Sequence, residues 1–151
     1  MVYVKNTLFK YIGIIFFLIG ICFPDEDHID CEQTYSIEEV FFNDPRIAIL
    51  SYSVTPWIDT PDKLADYVEF NDIKTNNWHF LTGNKSEIYS LARESYFAEE
   101  TIGFSKDSTD FLHTEYFVLV DKTKRIRGIY NGTLMLEAQQ VVKDINALLE
   151  E

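Results

Sequence analysis

The sequence predicts an α/β sandwich, a sheet with helices packed against it. Three observations carry this expectation. From residue 36 onward, strand-like and helix-like hydrophobic periods alternate. A charged turn, Asp121-Lys122-Thr123-Lys124, then joins two strand-like runs into a hairpin. An amphipathic run closes the chain, with Leu134, Ala138, Val141, Val142, Ile145 and Leu148 or Leu149 on one stripe. Alternation followed by a hairpin and a last helix is the order of a layered α/β domain.

Residues 1–24 are expected to be a signal peptide or membrane anchor. Lys5 and Lys10 precede an apolar run, Tyr11 to Phe23, and Pro24, Asp25, Glu26 and Asp27 follow at once. A basic start, an apolar centre and an acidic exit describe such a segment. The run is about 13 residues, short of the roughly 20 a spanning helix needs, but Leu8, Phe9 and a snorkelling Lys10 extend it to an apolar anchor helix. The leading positive charges set the N-terminus inside and the domain outside the cytoplasmic membrane. Leu18-Ile19-Gly20-Ile21-Cys22 resembles a bacterial lipoprotein cleavage box, departing from it at Ile21, where a small residue is the rule. Cys22 is therefore read either as a lipid-bearing residue or as an ordinary apolar member of the segment.

Residues 25–35 form an acidic linker that holds His28 and Cys31. The folded domain is expected over residues 36–151. Ser36 and Glu39 have the spacing of a capping box before a short helix with Ile37, Val40 and Phe41, ended by Asn43-Asp44-Pro45. Arg46 to Val54 is strand-like, and its continuous Ile47-Ala48-Ile49-Leu50 suits a strand covered on both faces. A loop through Thr55-Pro56 and Asp59 leads to Thr60 as helix cap and Pro61 at the first helical position. Leu64, Ala65, Tyr67 and Val68 make that helix's stripe. Trp78 to Leu81 is a short strand, with His79 pointing outward. Asn84 or Ser86 caps the next helix, whose Ile88, Leu91, Ala92 and Ser95 are expected to face the core. Residues 99–109 lack periodicity and read as a surface loop. Glu115 to Val120 and Arg125 to Tyr130 are the hairpin strands, Asn131-Gly132 is a turn, and Thr133 caps the last helix.

Composition narrows the function. A chain of 151 residues that is 46% hydrophobic has room for one domain with a packed core. A net charge of −12 argues against nucleic acid as a partner and against anionic lipid as a surface for the folded domain. The two cysteines allow one pair or two unrelated thiols.

Asp110-Phe111-Leu112-His113-Thr114, an apolar strand ending in Asp121, the charged turn, and Ile126-Arg127-Gly128-Ile129-Tyr130-Asn131-Gly132 together resemble the Sco/SenC family. Ile47–Pro61, Trp78–Gly83 and Ile88–Phe97 resemble it in the same order. The resemblance runs from about Glu38 to the C-terminus. It implies a thioredoxin-like fold, membrane tethering, and copper delivery in cytochrome c oxidase assembly, with an oxidase subunit as partner. It implies further that His113 is a copper ligand, beside two thiolates of a C-x-x-x-C motif that follows a buried strand. Thiolates are soft ligands that favour Cu(I), and an imidazole completes the set.

The cysteines depart from that pattern. Cys22 and Cys31 have eight residues between them instead of three. With residues 11–23 assigned to the anchor, no core strand remains ahead of the first helix. The expected domain is thus a truncated one, missing its N-terminal strands and carrying a degenerate metal site. Cys31, His28 and, outside the membrane, Cys22 are the remaining donors for His113. One thiol cannot run a two-thiol exchange cycle, which argues against a thiol-disulfide enzyme. A non-catalytic interaction module or a decayed gene product is the other reading. Loss of the central strand would leave Ile47–Leu50 as an unprotected edge, with marginal stability or association as the result.

Overall fold

The computed structural model describes residues 12–18, 37–74, 76–95 and 116–151. Five strands form one sheet: β1 (Ile12–Leu18), β2 (Ile47–Ser53), β3 (Trp78–Leu81), β4 (Tyr116–Val120) and β5 (Ile126–Asn131). Their spatial order is β3-β2-β1-β4-β5. β1, β2 and β3 run parallel, β4 is antiparallel to β1, and β5 is antiparallel to β4.

The first strand corrects the expectation for the N-terminal segment. Ile12–Leu18 is not part of an anchor helix but the middle strand of the sheet. Its register is Ile12↔Ile47 through Leu18↔Ser53 on one side and Gly13↔Val120 through Phe16↔Phe117 on the other. Hydropathy alone could not separate the two readings, because a strand buried on both faces and a membrane segment are both continuously apolar. The composition, three isoleucines and two phenylalanines in seven residues, favours the strand. The central strand is therefore present, and β2 is no edge: it pairs with β1 along its whole length and with β3 through Ile49–Tyr52. The edges are β3 and β5. No helix among the described residues is long and apolar enough to cross a membrane.

Alternation along the strands builds a core on each face. Ile47 and Ile49 of β2, Phe117 and Leu119 of β4, and Tyr130 of β5 share one cluster with the helical turn at residues 37–40 and the C-terminal helix. Val118 and Val120 of β4 face the other way, onto Ile88, Tyr89 and Ala92, with Leu50 and Tyr52 packed against them. Helix α1 (Pro61–Phe70) lies along the β3 edge, where Tyr67 and Phe80 hold their rings 5.4 Å apart. Thr60 caps it and Pro61 opens it, as the sequence implies. Leu64 and Tyr67 are buried, whereas Ala65 is exposed, so the stripe is narrower than expected. Helix α2 (Lys85–Ser90) takes Asn84 as its cap, whose Oδ1 accepts from the N–H groups of Ser86 and Glu87, and it runs into a wider π-helical turn, Leu91–Ser95.

Helix α3 (Met135–Leu149) buries Ala138, Val141, Ile145 and Leu148 at the expected spacing. Its cap differs from the expectation. Leu134 occupies the position without a side-chain hydrogen bond, and Thr133 instead donates through N–H and Oγ1 to Asn131 Oδ1, at 2.8 and 2.6 Å. The Asn131-Gly132 turn captured the hydroxyl first, as short polar side chains do when a backbone turn competes with a helix start.

Gly128 in β5 is a packing requirement. A Cβ there would fall inside the Tyr130 phenol, whose hydroxyl donates to Asp144 Oδ2 at 2.6 Å. Gly128→Ala is expected to cost about 1–3 kcal/mol, the usual penalty of overpacking, measured as a lower urea midpoint with an unchanged slope.

The hairpin turn is built on Asp121. Its carboxylate accepts from the Thr123 hydroxyl at 2.6 Å, from the N–H groups of Thr123 and Arg125, and from Arg127. The Thr123 hydroxyl foremost, with those N–H groups and the guanidinium, holds the carboxyl well below the usual carboxylate range, against an opposing effect of desolvation. A depressed folded pKa stabilises above the unfolded value and is lost as pH falls through the folded one. Asp121→Asn is accordingly expected to lower stability at neutral pH, and its gap from wild type to shrink below about pH 4. Urea midpoints at neutral and strongly acidic pH measure this.

Candidate functional site

The topology gathers one end of the sheet. β1, β2 and β3 all finish there, at Leu18, Ser53 and Leu81, and β4 begins there, at Tyr116. β5 returns to the same end, with Asn131 opposite Tyr116. Helices α1, α2 and α3 all start from it, because each follows a strand that finishes there. In open α/β sheets ligands bind outside the carboxyl ends of the parallel strands, where loops converge and helix N-termini point. The Asp121–Lys124 turn lies at the opposite end and takes no part.

The loop between β2 and α1 forms one wall of this end, held from below by a buried carboxylate. Asp59 is 2% exposed. Its Oδ2 accepts from Ser53 Oγ, and from Thr55 Oγ1 at 2.7 Å. The N–H of Thr55 donates back to Ser53 Oγ at 3.0 Å, and the N–H groups of Ile58 and Asp59 donate to the Thr55 carbonyl. From the other side Tyr89 Oη donates to the Val54 carbonyl at 2.8 Å. Buried polar groups that satisfy one another fix a loop in one conformation. Sequence reasoning identified the loop through its prolines and missed Asp59 as its anchor. Serine and threonine four to six residues ahead of an aspartate were the available signal.

Trp57 and Ile58 crown this loop, 54% and 49% exposed. Lys85 Nζ stands 4.9 Å from the Trp57 ring centre and 5.0 Å from that of Tyr89, and the Arg93 guanidinium carbon is 5.2 Å from the Tyr89 ring centre. A groove of about 520 Å³ runs between α1 and β3 and reaches Pro61 and Thr82 at the strand ends, lined by Leu64, Val68, Trp78, His79 and Phe80 among others. His79 is half-buried in it instead of pointing freely outward, and burial lowers its pKa.

His113, the sequence-predicted metal ligand, lies outside the described residues, as do His28, Cys22, Cys31 and the Ser36 cap. Their sequence positions relative to the strands are informative. Cys22 stands four residues beyond the end of β1, and His113 three residues ahead of the start of β4. β1 and β4 are neighbours, with Phe16 opposite Phe117. Assigning residues 11–23 to an anchor hid this relation, since it removed the strand that Cys22 follows. Among the described residues no group of three or more His, Cys, Asp or Glu is arranged to hold a metal ion.

Comparison with known proteins agrees with this architecture. The chain is 26% identical over 129 residues to the SCO1 protein homolog of Bacillus subtilis (strain 168), covering 84% of this chain and 63% of that protein. It thus spans less than two thirds of that relative's length. The structure resembles BsSco, described as a member of the Sco family of cytochrome c oxidase assembly proteins. The TM-score is 0.74 at 22% identity, covering 95% of this chain and 83% of that one. A SCO1/SenC family lipoprotein from Bacillus anthracis gives a TM-score of 0.73 at 18% identity, with 94% and 83% coverage. Bradyrhizobium japonicum ScoI, solved with copper bound, gives 0.60 at 20% identity, with 93% and 87% coverage. These likenesses establish the thioredoxin-like fold. The SCO1/SenC family model matches residues 32–150, which is most of the sequence, and the chain belongs to that family.

Proposed function

We propose that this chain binds copper and delivers it during cytochrome c oxidase assembly, with Cys22 and His113 as its principal ligands. The observation that carries the reading is the pairing of β1 with β4. The carboxyl end of β1 and the amino end of β4 lie side by side, and each is followed or preceded within four residues by a candidate donor. Cys22 then corresponds to the first cysteine of the family's C-x-x-x-C motif, after a central strand. The second position falls on Glu26. The donor set is one thiolate, one imidazole and a carboxylate, with Cys31 nine residues after Cys22. A thiolate and an imidazole suit Cu(I). Copper is cargo on this reading.

The same pattern argues against thiol-disulfide chemistry. A redox cycle of the thioredoxin kind needs a second thiol close in the same motif, and Glu26 supplies none. Lipid attachment at Cys22 conflicts with the fold, because cleavage ahead of Cys22 would remove β1. Action on the outer side of the cytoplasmic membrane is supported by the Bacillus anthracis relative being a lipoprotein, with attachment by some means other than a helix through residues 12–18. Cell fractionation with a protease-accessibility assay tests the location. Anaerobic Cu(I) titration of the full chain against its Cys22→Ser, His113→Ala and Cys31→Ser variants tests the function.

A further inference from the structure

We infer that the open edge of β3, with the groove between it and α1, binds an extended cationic segment of another protein by adding it to the sheet as a further strand.

β3 ends the sheet and pairs with β2. The Ile49 N–H donates to the Asn77 carbonyl at 2.7 Å, and in a parallel ladder alternate residues turn their backbone groups to the same neighbour. His79 and Leu81 therefore face β2 as Asn77 does. The N–H and C=O of Phe80 face outward, and among the described residues no hydrogen bond reaches them. Such an edge is a template for pairing, and proteins blunt it with charge, proline or bulges. β5, the opposite edge, carries Arg127 and a register irregularity against β4 at Leu119/Val120. β3, Trp78-His79-Phe80-Leu81, has no lysine, arginine, proline or bulge, and only its shortness protects it.

The groove calls for an occupant with a backbone. Side chains alternate between the faces of a strand, yet all four residues of β3 line the groove in succession. It therefore opens on the strand's edge, where the Phe80 backbone groups lie, and not on one face. Thr82 Oγ1, at the end of the same groove, is buried without a hydrogen bond. An apolar ligand would seal these groups in unpaired. An extended polypeptide supplies N–H and C=O at matching spacing and lays alternate side chains against Leu64 and Val68 of α1.

Charge selects among polypeptides. The groove lining holds Glu69 and Asp72 and no lysine or arginine. Asp72 is paired with Lys74 at 2.6 Å, which leaves Glu69. Asp62 stands two turns before Glu69 on the same stripe, and Lys63 lies on the side of α1 away from the groove-lining Ala65. Burial lowers the His79 pKa, so its imidazole is neutral at pH 7 and does not oppose a cation. A second copy of this chain, with net charge −12 and the same acids beside the same edge, is repelled, whereas a segment bearing lysine or arginine is attracted.

The test titrates the full chain into a labelled, end-blocked hexapeptide of alternating valine and lysine, followed by anisotropy at low salt. Binding is expected with a Kd below about 1 mM, and about tenfold more weakly when glutamate replaces lysine. Glu69→Lys should weaken binding about fivefold, and Glu87→Lys, the same change on α2 outside the groove, less than about twofold. Both positions are exposed, and circular dichroism confirms that each variant is folded. N-methylating the peptide at one alternate set of residues should abolish binding, and at the other set should leave it within about threefold, because only one set turns its N–H to β3. Hydrogen exchange at the Phe80 amide should slow on binding. No binding at about 1 mM overturns the proposal. So do equal affinities of the lysine and glutamate peptides, equal losses in both N-methylated peptides, or unchanged exchange at Phe80. Self-association of the chain that the peptide competes away gives the edge to a second copy and overturns it too. Residues 1–10 carry Lys5 and Lys10; if a chain lacking them binds the peptide about tenfold more tightly, the groove belongs to the chain's own N-terminus and the proposal falls.

Discussion

A fragment that begins at Pro24 is expected not to fold. It lacks β1, which the sheet uses on both sides: seven residue pairs with β2 and four with β4. A domain of this size is stable by about 5–15 kcal/mol in total. Hydrogen bonds of this kind contribute ~1 kcal/mol each, so removing the central strand takes away an amount comparable to the whole. It also leaves β2 and β4 as facing edges with nothing between them. The expected result is a coil-like circular dichroism spectrum with no cooperative urea transition. A subtler variant probes the same strand in the full chain. Ile15 pairs with Leu50 and with Val118, and Ile15→Pro removes an N–H from a strand bonded on both sides. The unpaired carbonyl alone costs about 1–3 kcal/mol, and the proline ring adds a clash, since proline is confined to edges. If the Pro24 fragment unfolds cooperatively at the wild-type midpoint, β1 is not part of the domain and residues 11–23 return to an anchor.

Copper binding should divide the two cysteines. Cys22→Ser and His113→Ala are each expected to weaken Cu(I) binding about 100-fold or more, equivalent to ~2.7 kcal/mol. Cys31→Ser should weaken it less than about threefold. The difference follows from the sheet: Cys22 trails β1 by four residues and His113 leads β4 by three, on adjacent strands, while Cys31 is 13 residues past β1. Both ligands bind deprotonated, so affinity should fall as pH drops below about 8.5, the ordinary thiol value, and more steeply below about 6.5, the ordinary histidine value. Competition with a chelator of known Cu(I) affinity measures all of this. If Cys31→Ser abolishes binding and Cys22→Ser does not, the ligand pair is Cys31 and His113, and the strand-end argument for Cys22 fails. If no variant differs from wild type and binding is that of free thiols, the chain is a Sco-like scaffold without a copper site. Glu26→Cys would restore the missing thiol and should strengthen Cu(I) binding.

From Arg46 onward, local signals were enough for most elements. Thr60-Pro61 marked the start of α1, the charged turn marked the hairpin, and the 3.6-residue stripe marked α3 to its last turn. These features depend on neighbours within a few residues, which is what a pattern along the chain records. The helix caps were less secure where two polar residues competed. Asn84 prevailed over Ser86 because its Oδ1 reaches two N–H groups, and Thr133 lost its cap to the turn at Asn131.

What the sequence by itself determined is the family resemblance, the hairpin and its charged turn, α1 and α3, the spacing of Cys22 and Cys31 that differs from C-x-x-x-C, and His113 as the histidine to test. What only the tertiary structure decided is the role of Ile12–Leu18. A seven-residue apolar run carries the same hydropathy whether lipid or two flanking strands cover it. Only pairing with β2 and β4, residues 35 to 107 positions away in the chain, distinguishes the cases. That one assignment turns a split sheet into a continuous one and gives Cys22 a strand to follow. Asp59 and the Trp57–Lys85 contact belong to the same class. Their meaning lies in contacts across a loop and between helices, which no periodicity along the chain encodes.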